Sequence, residues 1–192
     1  DRGQGSLMLF GQRRVGKTSL LLELVRLLPP RPGHVTGVFL DVSNLDLPDN
    51  TSMSQRFFAA IVHALGDPRN AAVRERLDVP ERHVHRLFRG IDPALSLYTA
   101  LHALRDRLRE VSHGEICRLA FFVDEFDRFV EPLLLGREEQ VDRMMWDLRQ
   151  IVQQSRDISL VLAGSGLQKM LTRDYSRPLH GSIDQVEIRP FS

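Results

Sequence analysis

Residues 7–22 read LMLFGQRRVGKTSLLL, and this stretch decides the fold. Leu7 to Phe10 is an apolar run of strand length that Gly11 closes. From Thr18 to Leu28 leucines fall on several faces before Pro29-Pro30 ends the segment, which predicts a buried helix. Between strand and helix, Gly11-Gln12-Arg13-Arg14-Val15-Gly16-Lys17-Thr18 fits G-x-x-x-x-G-K-[ST] in the context that motif requires. Gly11 and Gly16 can take backbone conformations closed to other residues, so successive N–H groups can curl round a phosphate. The helix that follows aims the positive end of its dipole at the same anion. Lys17 can bridge terminal phosphates, and the small Thr18 hydroxyl can complete a magnesium shell. Gly11, Gln12, Arg13, Arg14, Val15, Gly16, Lys17, Thr18 and Ser19 are therefore the candidate nucleotide-binding residues, with Thr18 also a candidate metal ligand.

Working outward, the chain alternates short apolar runs with helical spacing. Val35 to Val42 is rich in β-branched and aromatic residues and reads as a second strand. Helical spacing follows in Ser54 to Leu65 and in Pro93 to Val111, where Leu97, Leu101, Leu104 and Leu108 share a face. The Arg-rich connection from Gly66 to Gly90 reads as loop with some helix. Arg118 to Val123 is a third buried run, ending at Asp124-Glu125-Phe126-Asp127. Glu138 to Ser155 predicts a long helix with a stripe of Val141, Met145, Leu148 and Val152; Trp146 falls off that stripe and is expected to be exposed. Ile158 to Ala163 closes with Gly164-Ser165-Gly166, and Gln185 to Ile188 is a last short strand. Five strands separated by helical stretches imply right-handed crossovers, and hence an α/β fold: a parallel five-stranded sheet covered by helices on both faces.

In such sheets ligands bind at the carboxyl ends of the strands, so Asp124 and Glu125 are expected to face the bound phosphates. Asp124 is the candidate metal ligand, and Glu125 the catalytic base that orients and deprotonates the attacking water. Asp127 reads either as a helix cap or salt-bridge partner or as a further metal ligand. Ser165, after the fourth strand, is a candidate contact to the γ-phosphate or the attacking water, or else a plain turn serine. Arg173 and Arg177 precede the fifth strand, where an arginine could serve a neighbouring subunit's nucleotide; surface roles are the alternative.

Composition narrows the partners. In 192 residues, 42% apolar content supplies one continuous core, so a single domain over residues 1–192 is expected. The 26 basic and 25 acidic side chains nearly cancel, which disfavours a charge-driven binder of nucleic acid or of anionic membranes. Only Lys17 and Lys169 among the basic residues are lysines. The single cysteine, Cys117, excludes an internal disulfide framework and a multi-cysteine zinc site. The apolar runs fall short of the roughly 18 residues that span a bilayer, and the first residues lack a signal-peptide core, so a cytoplasmic protein is expected. His83 and His85 fall on different sides of a helix and do not suggest a metal site. No D-x-x-G follows the third strand and N-K-x-D is absent, which favours adenine over guanine.

Taken together, GQRRVGKTSLL, VFLDVS, RLAFFVDEFD, LVLAGSG and QVEIRPFS resemble the AAA-like P-loop ATPases of the STAND class and their prokaryotic relatives near the archaeal and origin-recognition ATPases. The resemblance implies a three-layer fold with strand order 5-1-4-3-2, ATP or ADP bound with Mg²⁺, and hydrolysis coupled to assembly or signalling. It makes Lys17 and Thr18 Walker A, Asp124 and Glu125 Walker B, and puts Ser165 at the sensor-1 position; Glu125, Lys17 and Ser165 are the catalytic candidates. Gly181-Ser182 departs from the Gly-Arg that relatives often carry, and no helical lid or winged helix follows, so the chain reads as the core of a larger protein. The expected function is an Mg-dependent ATPase acting as a conformational switch in a regulatory, signalling or defence-type protein. Its expected partners are the nucleotide, further domains of the same chain and an ATP-dependent homo-oligomer, with no membrane. The alternatives are a nucleotide-gated interaction module with negligible turnover, presenting Trp146 to a partner, and a DNA-associated ATPase of the origin-recognition type.

Overall fold

The computed structural model describes residues 5–28, 35–43, 52–78, 81–92, 95–130, 138–166 and 178–189. The apolar runs become strands β1 (Leu7–Phe10), β2 (Val35–Asp41), β3 (Arg118–Asp124) and β4 (Ile158–Gly164), and the last short strand is β5 (Asp184–Glu187). All neighbouring pairs are parallel, and the order across the sheet is β2-β3-β4-β1-β5, the expected 5-1-4-3-2 read from the opposite edge. The helices are α1 (Lys17–Leu27), α2 (Met53–Gly66), α3 (Ala71–Leu77), α4 (Glu81–Leu87), α5 (Leu97–Val111), α6 (Asp127–Val130) and α7 (Glu138–Gln154). Among the described residues no helix is long and apolar enough to cross a membrane.

Because side chains alternate along a strand, each β3 residue commits to one face. Leu119, Phe121 and Val123 join the cluster that α2, α5 and α7 cover, whereas Ala120 and Phe122 join Leu21 of α1 on the other face. Both faces of β2, β3 and β4 are therefore buried, which is why these strands read as continuous apolar runs, whereas the edge strand β5 is exposed at all four residues. The predicted leucine face of α5 is fully buried, and each of those side chains contributes about 1.5–3 kcal/mol of burial. Trp146 is 54% exposed on α7, with the Arg149 guanidinium 5.3 Å above its ring.

The largest differences from the sequence reading are at the start of α5 and between Gly66 and Gly90. Helix α5 starts at Leu97 rather than Pro93, because the Ser96 hydroxyl accepts the Thr99 N–H and caps the helix there. The Gly66–Gly90 connection is mostly helical: a 3-10 turn at Pro68–Asn70, then α3 and α4. Val73 and Leu77, and Val84 and Phe88, each pair at a spacing of four and are buried. Two of the arginines in this stretch serve the fold. Arg74 donates to the carbonyls of Gly66 and Asp67, and Arg76 donates to the Thr36 hydroxyl.

Strand β2 lies at the sheet edge, and Asn70 covers it. Its carboxamide accepts the Phe39 N–H at 2.7 Å and donates to the carbonyls of Phe39, at 2.8 Å, and Ala64, at 2.7 Å. Asn70 thereby mimics a further strand while being 1% exposed. Asn70→Ala strands these groups in a dry environment, and chemical unfolding is expected to show a loss of about 2–4 kcal/mol. A variant as stable as the parent would mean that the edge is satisfied otherwise.

Candidate nucleotide-binding site

Of the two glycines read as conformationally special, Gly16 (φ 93°) takes a left-handed conformation and Gly11 does not; Arg14 (φ 66°) supplies the other left-handed residue of the loop. Together they turn the loop back on itself before α1 begins at Lys17. The first turn of α1 carries no acidic side chain, so its N-terminal dipole is left to an external anion. Lys17 is 7% exposed, and its ammonium reaches back across the loop to the carbonyls of Gly11, at 2.9 Å, and Gln12, at 2.8 Å. That contact keeps the charge solvated by protein oxygens until a phosphate competes for it.

Gly11 is needed for space. A Cβ there would stand 2.3 Å from the Ile188 carbonyl oxygen and 3.3 Å from Val15 Cγ2. The Ile188 N–H is itself bonded to the Phe10 carbonyl at 2.7 Å, so the segment after β5 cannot retreat without losing that bond. Gly11→Ala is expected to cost about 1–3 kcal/mol, read as a lowered melting temperature. An unchanged melting curve would show that the loop and β5 can part freely.

Strand order brings the second half of the site to the loop. The Thr18 hydroxyl, at the start of α1, donates to Asp124 Oδ2 at 2.5 Å across 106 residues of chain. Asp124 is 4% exposed at the end of β3, and its other oxygen accepts the Glu125 N–H at 3.0 Å. Glu125 has φ 54°, a left-handed conformation that costs a non-glycine residue free energy and that clusters at functional sites. A cavity of about 940 Å³ opens here, lined by Arg13, Arg14, Gly16, Lys17, Thr18 and Ser19 together with the carboxylates Asp124 and Glu125. Gln12 is exposed beside it, and Val15 packs on Gly11.

The sequence reading missed Asp41, Ser43 and Arg128, which also line the cavity. Asp41 ends β2 level with Asp124, so VFLDVS places an acid by the same rule that singled out RLAFFVDEFD. Burial works against the charge on Asp41. Hydrogen bonds from the Ser43 hydroxyl and N–H and from Arg69 outweigh it, and they hold this carboxyl below the usual range. The cavity therefore has two sides, with Arg13, Arg14 and Lys17 on the loop and the carboxylates Asp41, Asp124 and Glu125 at the strand ends.

Asp127 opens α6, and its carboxylate is bonded to the turn after β4. It accepts the Ser165 N–H at 2.5 Å, the Ser165 hydroxyl at 3.0 Å and the Gly166 N–H at 3.2 Å. These contacts are neither the helix cap or salt bridge nor the metal ligation read for it: the carboxylate ties the turn after β3 to the turn after β4. Ser165 is exposed on that turn and is not part of the cavity lining. Arg173 and Arg177 lie outside the described residues. Gly181 takes a left-handed turn conformation, and the Ser182 hydroxyl accepts a bond from Gln153.

The donor set fits magnesium. Thr18 and Asp124 offer hard oxygens, and among the described residues no group of three or more His, Cys, Asp or Glu could hold a metal. A cation here would take much of its shell from phosphate and water, as Mg²⁺ does at nucleotides.

Comparison with known proteins agrees with this frame. The fold is similar to the Walker-type ATPase PABY2304 of Pyrococcus abyssi, with 20% identity, a TM-score of 0.62 and 100% of this chain covered. The chain spans 50% of that protein's length. A second similar structure is the Aeropyrum pernix ORC2 protein in its ADPNP-ADP complexes, with 17% identity, a TM-score of 0.48, and coverage of 97% of this chain and 42% of that one. No curated protein matches the chain. The family described as AAA domain matches residues 1–171, well over half of the sequence, and the chain therefore belongs to this AAA family of P-loop ATPases.

Proposed function

We propose that this domain binds ATP or ADP with Mg²⁺, hydrolyses ATP, and acts as a conformational switch inside a larger regulatory, signalling or defence-type protein of the STAND kind. The observation that carries the reading is the 2.5 Å approach of Thr18 to Asp124, with Lys17 and Glu125 beside them at one cavity. Lys17, the main-chain N–H groups of residues 11–18 and the N-terminus of α1 hold the phosphates. Thr18 and Asp124 are the residues that would hold magnesium, which when bound neutralises phosphate charge. Glu125 takes a proton from the attacking water, and its backbone is fixed by the Asp124 carboxylate on its N–H. Binding favours whichever arrangement of partner domains or neighbouring copies closes over the nucleotide, and hydrolysis withdraws that preference.

Isothermal calorimetry with Mg-ATP and Mg-ADP, followed by phosphate release from the same samples, tests the reading. Heat with both ligands and steady phosphate release are expected. No heat with either ligand would end it. Heat without turnover would favour the second reading, a nucleotide-gated interaction module, for which the exposed Trp146 supplies a surface aromatic. Salt-dependent DNA binding would instead favour the origin-recognition type.

A further inference from the structure

We propose that Arg128 is a catalytic residue for hydrolysis: its guanidinium takes up the negative charge that spreads over the γ-phosphoryl oxygens as the bond breaks, in the same copy of the chain that holds the nucleotide. This rests on the hydrolysis reading above and adds a residue that neither the phosphate loop nor the metal site contains.

The strand-end side of the cavity is short of positive charge. Asp41, Asp124 and Glu125 line it, and Arg128 is the one cation among the described lining residues on that side, the others belonging to the phosphate loop. The three carboxylates are not equivalent. Asp41 has a counter-ion in Arg69, at 3.3 Å, and Asp124 is bonded to Thr18, where the metal would sit. Glu125 is the carboxylate that meets the terminal phosphate across the attacking water. Two negative groups drawn together in this way cost free energy unless a cation stands beside them.

Local chain geometry delivers Arg128 to that place. Glu125 takes a left-handed conformation, and the Arg128 N–H donates to the Glu125 carbonyl at 2.9 Å, closing a tight turn from base to cation. The two residues between them are pinned elsewhere. Phe126 is fully buried, edge-on to Phe57 at 6.3 Å, and its N–H donates to the Ala163 carbonyl at 2.9 Å. The Asp127 carboxylate is spent on Ser165 and Gly166. The first and last residues of the turn, Glu125 and Arg128, are therefore the ones that line the cavity.

In the reaction the water oxygen bonds to the γ-phosphorus while the bond from that phosphorus to the bridging oxygen breaks. The water proton passes to Glu125, and the electron pair leaves with ADP. Charge is then spread over the equatorial oxygens, and a planar guanidinium can bind two of them at once, which the point charge of an ammonium does not. The interaction is stronger in the transition state than with bound ATP, so it acts on kcat.

In the intact protein, kcat and KM for Mg-ATP are measured for Arg128→Ala and Arg128→Lys, beside calorimetry with Mg-ADP alone and with Mg-ADP plus aluminium fluoride, a mimic of the transferring phosphoryl group. Arg128→Ala is expected to lose about 100-fold in kcat with KM within about threefold, the size of effect seen when one preorganised donor is removed. It is expected to bind Mg-ADP as the parent does and the aluminium fluoride complex about 100-fold more weakly. Arg128→Lys, which keeps charge and stem should the alanine variant not fold, is expected to lose about 10-fold in kcat, because the fork is gone. Mixing Arg128→Ala with Glu125→Gln is expected to restore no turnover, since each copy needs its own base and its own arginine. Parental kcat in either variant, a raised KM at constant kcat, or activity restored by mixing would each overturn the proposal, the last by giving Arg128 to a neighbouring copy's nucleotide. Turnover that Glu125→Gln abolishes and Arg128→Ala spares sinks this inference alone. A parent with no turnover sinks the hydrolysis reading first and this role with it.

Discussion

Glu125→Gln is expected to lower kcat for ATP hydrolysis by about 10²- to 10⁴-fold, the range that a positioned general base supplies. ATP affinity should stay within about twofold, because the amide keeps the shape of the side chain and loses only the capacity to take a proton. The backbone at this residue is left-handed, with φ 54°. Glutamine suffers that conformation neither more nor less than glutamate, so the variant should melt with the parent. The substitution thus separates chemistry from folding and from binding. Phosphate release at the parental rate from a variant that still binds ATP would remove Glu125 from the reaction and leave the acidic pair as a structural feature of the β3 turn.

Lys17→Ala is expected to weaken Mg-ATP binding by about 100-fold or more in calorimetry. The ammonium makes charge-assisted hydrogen bonds, each of which is worth about 1.5–3 kcal/mol. In the free loop these go to the carbonyls of Gly11 and Gln12. Moving to phosphate oxygens exchanges them for bonds between full opposite charges, and the gain is the difference between the two sets. The two carbonyls released by the substitution lie on a loop open to water at Gln12, so the cost to folding is small. A variant that melts normally but binds no nucleotide is therefore the expected outcome. Parental affinity in Lys17→Ala would mean that the loop amides hold the phosphates alone, and the role of Lys17 would have to be given up.

Much of this was legible because it is local. The strand, loop and helix of residues 7–28 follow from an apolar run, two glycines at fixed spacing and a proline stop, all within a few turns of chain. The exposed Trp146 and the buried leucine face of α5 follow from the helical period alone. The Gly66–Gly90 stretch, read as loop with some helix, holds more helix than that, because its apolar residues are spaced for burial while its polarity draws the eye. In the fold Arg74 donates to the carbonyls of Gly66 and Asp67 and Arg76 to the Thr36 hydroxyl, while Val73, Leu77, Val84 and Phe88 are buried. Asp41 was missed although VFLDVS carries the same signal as RLAFFVDEFD. Its relevance appears only when β2 pairs with β3 and places it level with Asp124.

The sequence by itself determined the phosphate loop, the acidic pair and the alternation of strands and helices, since each is written in neighbouring residues whose backbone and polarity preferences act locally. Only the tertiary structure decided that Thr18 meets Asp124, that Asn70 closes the edge of β2, and that Asp127 spends its carboxylate on Ser165 and Gly166. Those contacts join residues 31 to 106 positions apart. Hydrogen bonds reach about 3 Å, so which distant donor finds which acceptor is set by strand order and register rather than by any pattern along the chain.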